Sequence, residues 1–467
     1  MSVFDNVEFI KASAGSGKTY TLMNRVEDLI CQEHVPVGAI LATTFTVKAA
    51  NELKSRIRRK LLSVGRVEEA QQVEDALIGT VDSVCGRLLS DYAIDAGENP
   101  SMTVLPDENV AEFFTRALRE TIAAHKDTIA PLAERLGFQD DSWLSVVRDL
   151  LDAARSNCIS REKLIAARDR SIEAAKKIYD GTDETLTLAG FKGELQLYFN
   201  GIKEVAEAFE KDEASAKGTF GGGLCDFCAF AFEYGGDTWK ELLSLSKKKP
   251  SARSTTKPEL RDSLLRVWQA LGNRLLHSKE LQQDVVLFVK EIFDIAGEGL
   301  GRFQAYKREF GLVDFTDQET KVLDLLNSNS GEAFRKAIKD RIKIVMVDEF
   351  QDTSPLQLSI FLKLNEIVGR SIWVGDPKQS IYSFRGADPS FMKEVVNDIE
   401  AADAKRENSL IKILPHSWRS RENLIEFSNE VFTRTFAKVP AEEVKLSLDD
   451  TERQKNERKG GRISVWQ

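Results

Sequence analysis

Short apolar, β-branched runs alternate with amphipathic stretches at both ends of this 467-residue chain, and the alternation stops in the middle. The runs 7–10 (VEFI), 39–45 (AILATTF), 77–81 (LIGTV), 342–347 (IKIVMV), 371–375 (SIWVG) and 410–414 (LIKIL) have the near-continuous apolar character of strands buried on both faces. Between them, segments such as 21–30 (TLMNRVEDLI) and 355–367 (PLQLSIFLKLNEI) repeat apolar residues at three and four, as helices covering a sheet do. The two periods together predict an α/β fold on a parallel sheet. From about 107 to 310 helical repeats alone remain, as in 109–125, 142–156 and 280–296, so this stretch reads as an all-helical insertion between strands of one sheet.

Length adds that one ordinary core is not enough, with roughly three domains expected. With 42% hydrophobic and 30% charged residues the chain is a globular protein and neither disordered nor fibrous. No apolar run approaches the ~20 residues of a membrane helix. A phosphate-loop candidate begins at residue 12, so a removable secretory leader would cut into it, and a cytoplasmic location is expected. Five scattered cysteines (Cys31, Cys85, Cys158, Cys225, Cys228) fit a reducing compartment and no disulfide framework. Cys225 and Cys228 have metal-like spacing but no neighbouring second pair or histidine, and read as two thiols in a Gly-rich turn rather than as a metal site.

The net charge of −9 opposes nucleic-acid binding only on average. Residues 47–60 carry Lys48, Lys54, Arg56, Arg58, Arg59 and Lys60 against Glu52, a basic helix that either faces solvent or meets a phosphate backbone. The stretch 246–258 is a basic linker or a duplex contact, and 449–460 is a charged connection before a strand-like 462–467.

The candidate chemistry lies at two strand ends. A phosphate loop needs backbone N–H groups converging at a helix N-terminus, a Lys for the β- and γ-oxygens, and a hydroxyl for Mg²⁺. Ala14, Gly15, Ser16, Gly17, Lys18 and Thr19 supply these directly after a strand, although Ala12 stands where the motif G-x-x-x-x-G-K has its first Gly. Ala there is harmless if its φ is negative. Some 330 residues later, a second apolar strand runs into Asp348 and Glu349. Asp348 suits Mg²⁺, and Glu349 suits orienting and deprotonating a water. The pair predicts a nucleoside triphosphatase using ATP and Mg²⁺.

The stretches Ala12-Ser13-Ala14-Gly15-Ser16-Gly17-Lys18-Thr19, Thr44-Phe45-Thr46, Asp348-Glu349-Phe350-Gln351-Asp352-Thr353, the run 375–387 (GDPKQSIYSFRGA) and Trp418-Arg419-Ser420 resemble, in order, the UvrD-like superfamily-one DNA helicases. Within these, the likeness is to the RecB and AddA helicase-nuclease branch. The resemblance implies a RecA-like P-loop NTPase sheet, a tolerated Ala12, and a 3′→5′ motor on single-stranded DNA and single/double-strand junctions in repair, recombination or defence. It implies Gln379 sensing the γ-phosphate, Arg419 as an arginine finger, and Trp418 stacking on adenine. It also implies that Thr44, Phe45, Thr46, Ser83, Tyr382, Phe384 and Arg385 meet DNA, with Gln379 and Phe384 five residues apart on one loop linking phosphate state to base position.

The chain departs from that family in places. Thr80-Val81-Asp82-Ser83-Val84 stands for Thr-Ile-His-Ser-Phe, putting a carboxylate near DNA phosphates, and no Gln precedes the phosphate loop to read adenine. Asp314, Phe315 and Asp317 resemble a stretch with a mainly structural part. The implied organisation is a first RecA-like domain in two parts (1–100 and 309–416), a helical insertion (101–308) that would meet duplex DNA, and the start of a second RecA-like domain (417–467). The family's later motifs, and any nuclease domain or partner subunit, would then lie beyond residue 467. From a different class, the chain would be a naturally short ATP-regulated DNA-binding or scaffold subunit without motor activity.

Overall fold

A computed structural model describes residues 4–13, 15–96, 103–194, 237–247, 274–379, 389–436 and 440–448. Strands β1 (Val7–Ala12), β2 (Ile40–Thr44), β3 (Leu77–Thr80), β6 (Ile344–Val347), β7 (Ser371–Gly375) and β8 (Ile411–Leu414) form one sheet in the order β3-β2-β6-β7-β1-β8. Every pairing in it is parallel. The six apolar runs read from the sequence are these six strands. Two two-residue strands, β4 (Thr103–Val104) and β5 (Leu312–Val313), make a separate parallel pair where the chain leaves and rejoins this body, and their length gave the sequence no period to detect.

Alternate residues of β1 serve different cores. Val7 and Phe9 join Leu41, Val345 and Trp373 on one face, while Ile10 and Ala12 join Ile40, Met346 and Val374 on the other. Helices cover both faces, so burial on two sides explains why the strands other than the edge strand β8, where Lys412 and Ile413 are exposed, read as continuous apolar runs. The arrangement is the RecA-like parallel sheet with a helical insertion that the sequence predicts.

The chain divides into two compact units. One holds residues 1–105, 156–158 and 311–467 and contains the sheet; the other holds 106–155 and 159–310. In the second unit, helices Asp107–Ala117, Arg119–Leu136, Trp143–Ser156, Arg161–Ile178, Trp239–Lys247 and Lys279–Glu309 are the principal elements. Trp143, Val147, Leu151 and Ala154, one stripe at helical spacing, pack with Leu118, Ile292, Ile295 and Phe303. The single repeat read over 109–125 is two helices, because Leu118 leaves helical geometry (φ −96°, ψ 9°) while its side chain is fully buried. The repeat read over 280–296 continues much further, as one helix of 31 residues.

Among the described residues no helix is long and apolar enough to cross a membrane. Cys225 and Cys228, residues 248–258 and 449–467, and the candidates Ala14, Tyr382, Phe384 and Arg385 lie outside the described residues.

Candidate functional site

Because all six strands are parallel, their C-terminal ends open on one edge of the sheet, where ligands of open α/β folds bind. At the end of β1, Ser16 N and Oγ both donate to Ser13 O, at 3.1 and 2.7 Å, closing a tight turn. Gly15 (φ 77°) and Gly17 (φ 90°) take left-handed conformations that a side chain would strain. Ala12 has no such φ, so the substituted first position costs nothing. Gly17 caps the helix Lys18–Cys31 without a side-chain hydrogen bond, and no acidic residue sits in its first turn. That leaves first-turn N–H groups and the positive end of the helix dipole for an anion, with Thr19 beside them.

The end of β6 faces this loop. Lys18 Nζ lies 2.6 Å from Glu349 Oε2. Glu349 is one of few non-glycine residues at positive φ (52°), a conformation that costs about 1 kcal/mol or more and persists only where surroundings enforce it. Its N–H donates to Asp348 Oδ1 at 3.0 Å. Burial, then the charge of Glu349, pushes both Asp348 and Asp352 up to about 6 against the opposing pull of Lys18. Asp352 Oδ1 is buried without a hydrogen-bond partner. Several carboxylates against one ammonium, with an orphaned carboxylate oxygen, make a setting that suits a divalent cation. Among the described residues no three acidic, His or Cys side chains could hold a metal alone. Mg²⁺ at phosphate sites takes one or two protein ligands plus phosphate and water, which is what Thr19 and Asp348 can offer.

The end of β7 carries Asp376, which is 2% exposed. Its carboxylate accepts from Gln379 Nε2 at 2.6 Å and from Lys378 Nζ at 3.0 Å. The end of β8 brings in the next candidates: Trp418 N donates to Gly15 O at 2.8 Å. A Cβ on Gly17 would stand 3.0 Å from Trp418 Cδ1, and one on Gly15 would stand 3.1 Å from Arg419 Cβ. Trp418, 48% exposed, therefore lies against the loop with much of its indole open. Lys18, Glu349, Gln379, Trp418 and Arg419 are thus gathered on one edge from the ends of four strands.

A second group occupies the same edge at β2 and β3, where Thr44 and Thr80 stand opposite each other in register. Thr44 is buried and donates through Oγ1 to Thr46 O at 3.1 Å. Exposed Thr46 caps the helix Val47–Ser63 by accepting from Ala49 N, and Thr80 caps Val81–Asp91 by accepting from Ser83 N. Ser83 is exposed and Phe45 partly so. Two helix N-termini therefore sit side by side, a backbone-phosphate geometry.

Two expectations change. The basic helix is a partly neutralised face: Lys54 and Arg58 pair with Glu74, Arg56 with Glu52, and Lys60 with Glu27, while Lys48 and Arg59 stay exposed. Asp82 does not face outward as a lone carboxylate, because it hydrogen-bonds buried Glu319, which burial and the Asp82 charge push up to about 8. Asp314 and Asp317 form a reciprocal capping box, the structural part expected of that stretch. Sequence reasoning passed over Gln351, Asp352 and Asp376; all three lie inside the quoted motifs, so position was the available signal.

Residues 2–400 match the family model described as the UvrD/REP helicase N-terminal domain. Curated relatives named as ATP-dependent helicase/nuclease subunits include one from Latilactobacillus sakei, 26% identical over 91% of this chain and 53% of the relative. Those from Lactobacillus acidophilus (26% identical, 91% of this chain, 38% of the relative) and Streptococcus mutans (24%, 95% and 38%) are similar. The chain spans about half or less of the length of these relatives. With a phosphate loop, an acidic strand end and a Gln-bearing loop on one RecA-like edge, and a family match across most of its length, the chain belongs to the UvrD/REP helicases.

Proposed function

We propose that this chain is the ATP-binding portion of an ATP-dependent DNA helicase of the UvrD/RecB type, moving 3′→5′ on single-stranded DNA and acting at junctions in repair, recombination or defence. The observation that carries it is the Lys18–Glu349 contact at 2.6 Å, which joins a phosphate loop to a strand-end carboxylate on the edge that also holds Gln379 and Arg419. The loop amides from Ala14 to Gly17 would cradle the phosphates and Lys18 their β- and γ-oxygens, while Trp418 would stack on the base. Thr19 and Asp348 would hold Mg²⁺, which when bound neutralises charge on those oxygens. Glu349 would accept the proton of the attacking water, Gln379 orient toward the γ-phosphate, and Arg419 offset its developing charge.

Thr44, Phe45, Thr46 and Ser83 are proposed to hold the DNA backbone, and Tyr382, Phe384 and Arg385 to meet its bases. The span relative to the helicase/nuclease relatives supports reading the chain as the N-terminal portion of a longer cytoplasmic motor, joined by a nuclease domain or partner subunit. The domain limits proposed are 1–100 with 309–416, 101–308, and 417–467. The test is steady-state phosphate release with and without single-stranded DNA. DNA-stimulated turnover by the full-length protein, abolished by Lys18→Ala, is expected; ATP binding without any turnover there would favour a regulated scaffold.

A further inference from the structure

Gln351 is 3% exposed, on the single turn Phe350–Asp352 that follows β6. Its side-chain amide spans two strand ends. Nε2 donates to Glu349 Oε2 at 2.7 Å and more weakly to Asp352 Oδ2 at 3.3 Å, while Oε1 accepts from Asp376 N at 2.8 Å. The amide's orientation is fixed by its partners, since a backbone N–H only donates and a carboxylate only accepts. Gly375 permits the approach: a Cβ there would stand 2.8 Å from Gln351 Oε1 and 3.2 Å from Phe350 Cβ.

Glu349 Oε2 therefore has two donors, Lys18 and Gln351. A γ-phosphate would draw the Lys18 ammonium toward itself, leaving the Gln351 amide to keep this oxygen in place and Oε1 toward the water. Asp376, held through its N–H by Gln351, in turn holds Gln379 and Lys378 through its carboxylate. The result is one hydrogen-bonded path, Lys18 to Glu349 to Gln351 to Asp376 to Gln379, with the amide of Gln351 as its middle link.

We propose that Gln351 is a positioning residue that fixes the Glu349 carboxylate for proton abstraction and ties its position to the loop beginning at Asp376, so that nucleotide occupancy is transmitted to that loop. This rests on the function proposed above. Filling the space and satisfying Asp376 N–H would require only an acceptor; the donor aimed at Glu349 is what a structural role leaves unexplained.

Two variants separate the roles in the full-length enzyme. Gln351→Glu keeps an acceptor for Asp376 N–H but replaces the donor to Glu349 and Asp352 by a carboxylate, and Gln351→Met keeps shape while removing all three bonds. Both should lower kcat about 10²-fold with the KM for Mg-ATP within about threefold, the split expected when a base is misplaced and binding is spared. A nonhydrolysable ATP analogue should shift single-stranded DNA affinity about fivefold or more in the wild type and less than about twofold in Gln351→Met. Gln351→Glu with wild-type kcat, or Gln351→Met with an unchanged analogue effect, would overturn the proposal. If Gln351→Met does not fold, judged by melting, the Gln351→Glu result decides. A wild-type enzyme that neither binds nor hydrolyses ATP would overturn the underlying function as well, whereas an active wild type with unaffected variants sinks this inference alone.

Discussion

Lys18 Nζ and Glu349 Oε2 stand 2.6 Å apart across 331 residues of sequence, so the loop that would bind phosphate and the carboxylate that would handle water are already in contact. Lys18→Ala should weaken Mg-ATP binding at least about tenfold, because it removes a charge-assisted contact to the phosphates. Glu349→Gln should bind Mg-ATP as tightly as the wild type, or more tightly, yet lose turnover. Calorimetric titration of both variants checks the first claim and phosphate release the second; equal affinities for wild type and Lys18→Ala would remove the phosphate-loop assignment.

Thr46 separates helix capping from DNA contact. Its side chain accepts from Ala49 N at 3.1 Å, so Thr46→Ala should cost about 1 kcal/mol. Thr46→Asp restores the cap with a negative charge and should melt close to the wild type. It should nevertheless bind single-stranded DNA more weakly, with a different dependence on salt, because the charge would face phosphate. Anisotropy titrations at two salt concentrations would reveal this, and undiminished affinity in Thr46→Asp would place Thr46 outside the DNA surface.

The Asp82–Glu319 pair gives a pH signature. Glu319 is buried, accepts from Gln357 Nε2 at 2.7 Å, and is pushed up to about 8 by burial and by Asp82. A folded-state value above the unfolded one, 4.5, means the native protein holds the extra proton, so this contribution is complete below about pH 4.5 and is lost as pH rises through about 8. Glu319→Gln keeps the acceptor for Gln357 and cannot ionise. It should melt about 2–6 °C above the wild type at pH 8.5, with the gap closing toward pH 4.5. A constant gap across that range, by thermal denaturation, would count against a shared proton.

Phe384, placed at the DNA bases by resemblance, should be worth about 1–3 kcal/mol of single-stranded DNA affinity when replaced by Ala, whatever the base sequence. Titrating two oligonucleotides of different composition measures it. No loss with either would remove Phe384 from the DNA surface.

Five of the six strands were legible because a parallel strand buried on both faces is apolar throughout, as Ile344, Val345, Met346 and Val347 are, whereas β8, at the sheet edge with Lys412 and Ile413 exposed, was legible from its β-branched residues. Their order was not. Nothing local in β6 and β7 tells that they insert between β2 and β1, since parallel pairing is set by distant segments. The phosphate loop and Asp348–Glu349 were visible because backbone geometry ties glycines and carboxylates to fixed spacings. Gln351 was not, because its importance lies in partners on two different strand ends. The partners of the basic helix were hidden for a related reason: Glu27 and Glu74 pair with three of its cations from outside its own sequence.

The strand order also sets a schedule for biosynthesis. β1 carries the phosphate loop, but its two neighbours are β7 and β8. At ribosomal rates of about 5–20 residues per second, its first neighbour, β7, emerges about 360 residues and roughly 20–70 s after β1 itself. Throughout that interval an apolar strand waits with both edges bare, while residues 106–310, with a core of their own, are free to fold. Any nascent or clipped product ending before residue 371 carries an unprotected β1, so chaperone demand and aggregation should be governed by the arrival of β7 rather than by the helical unit.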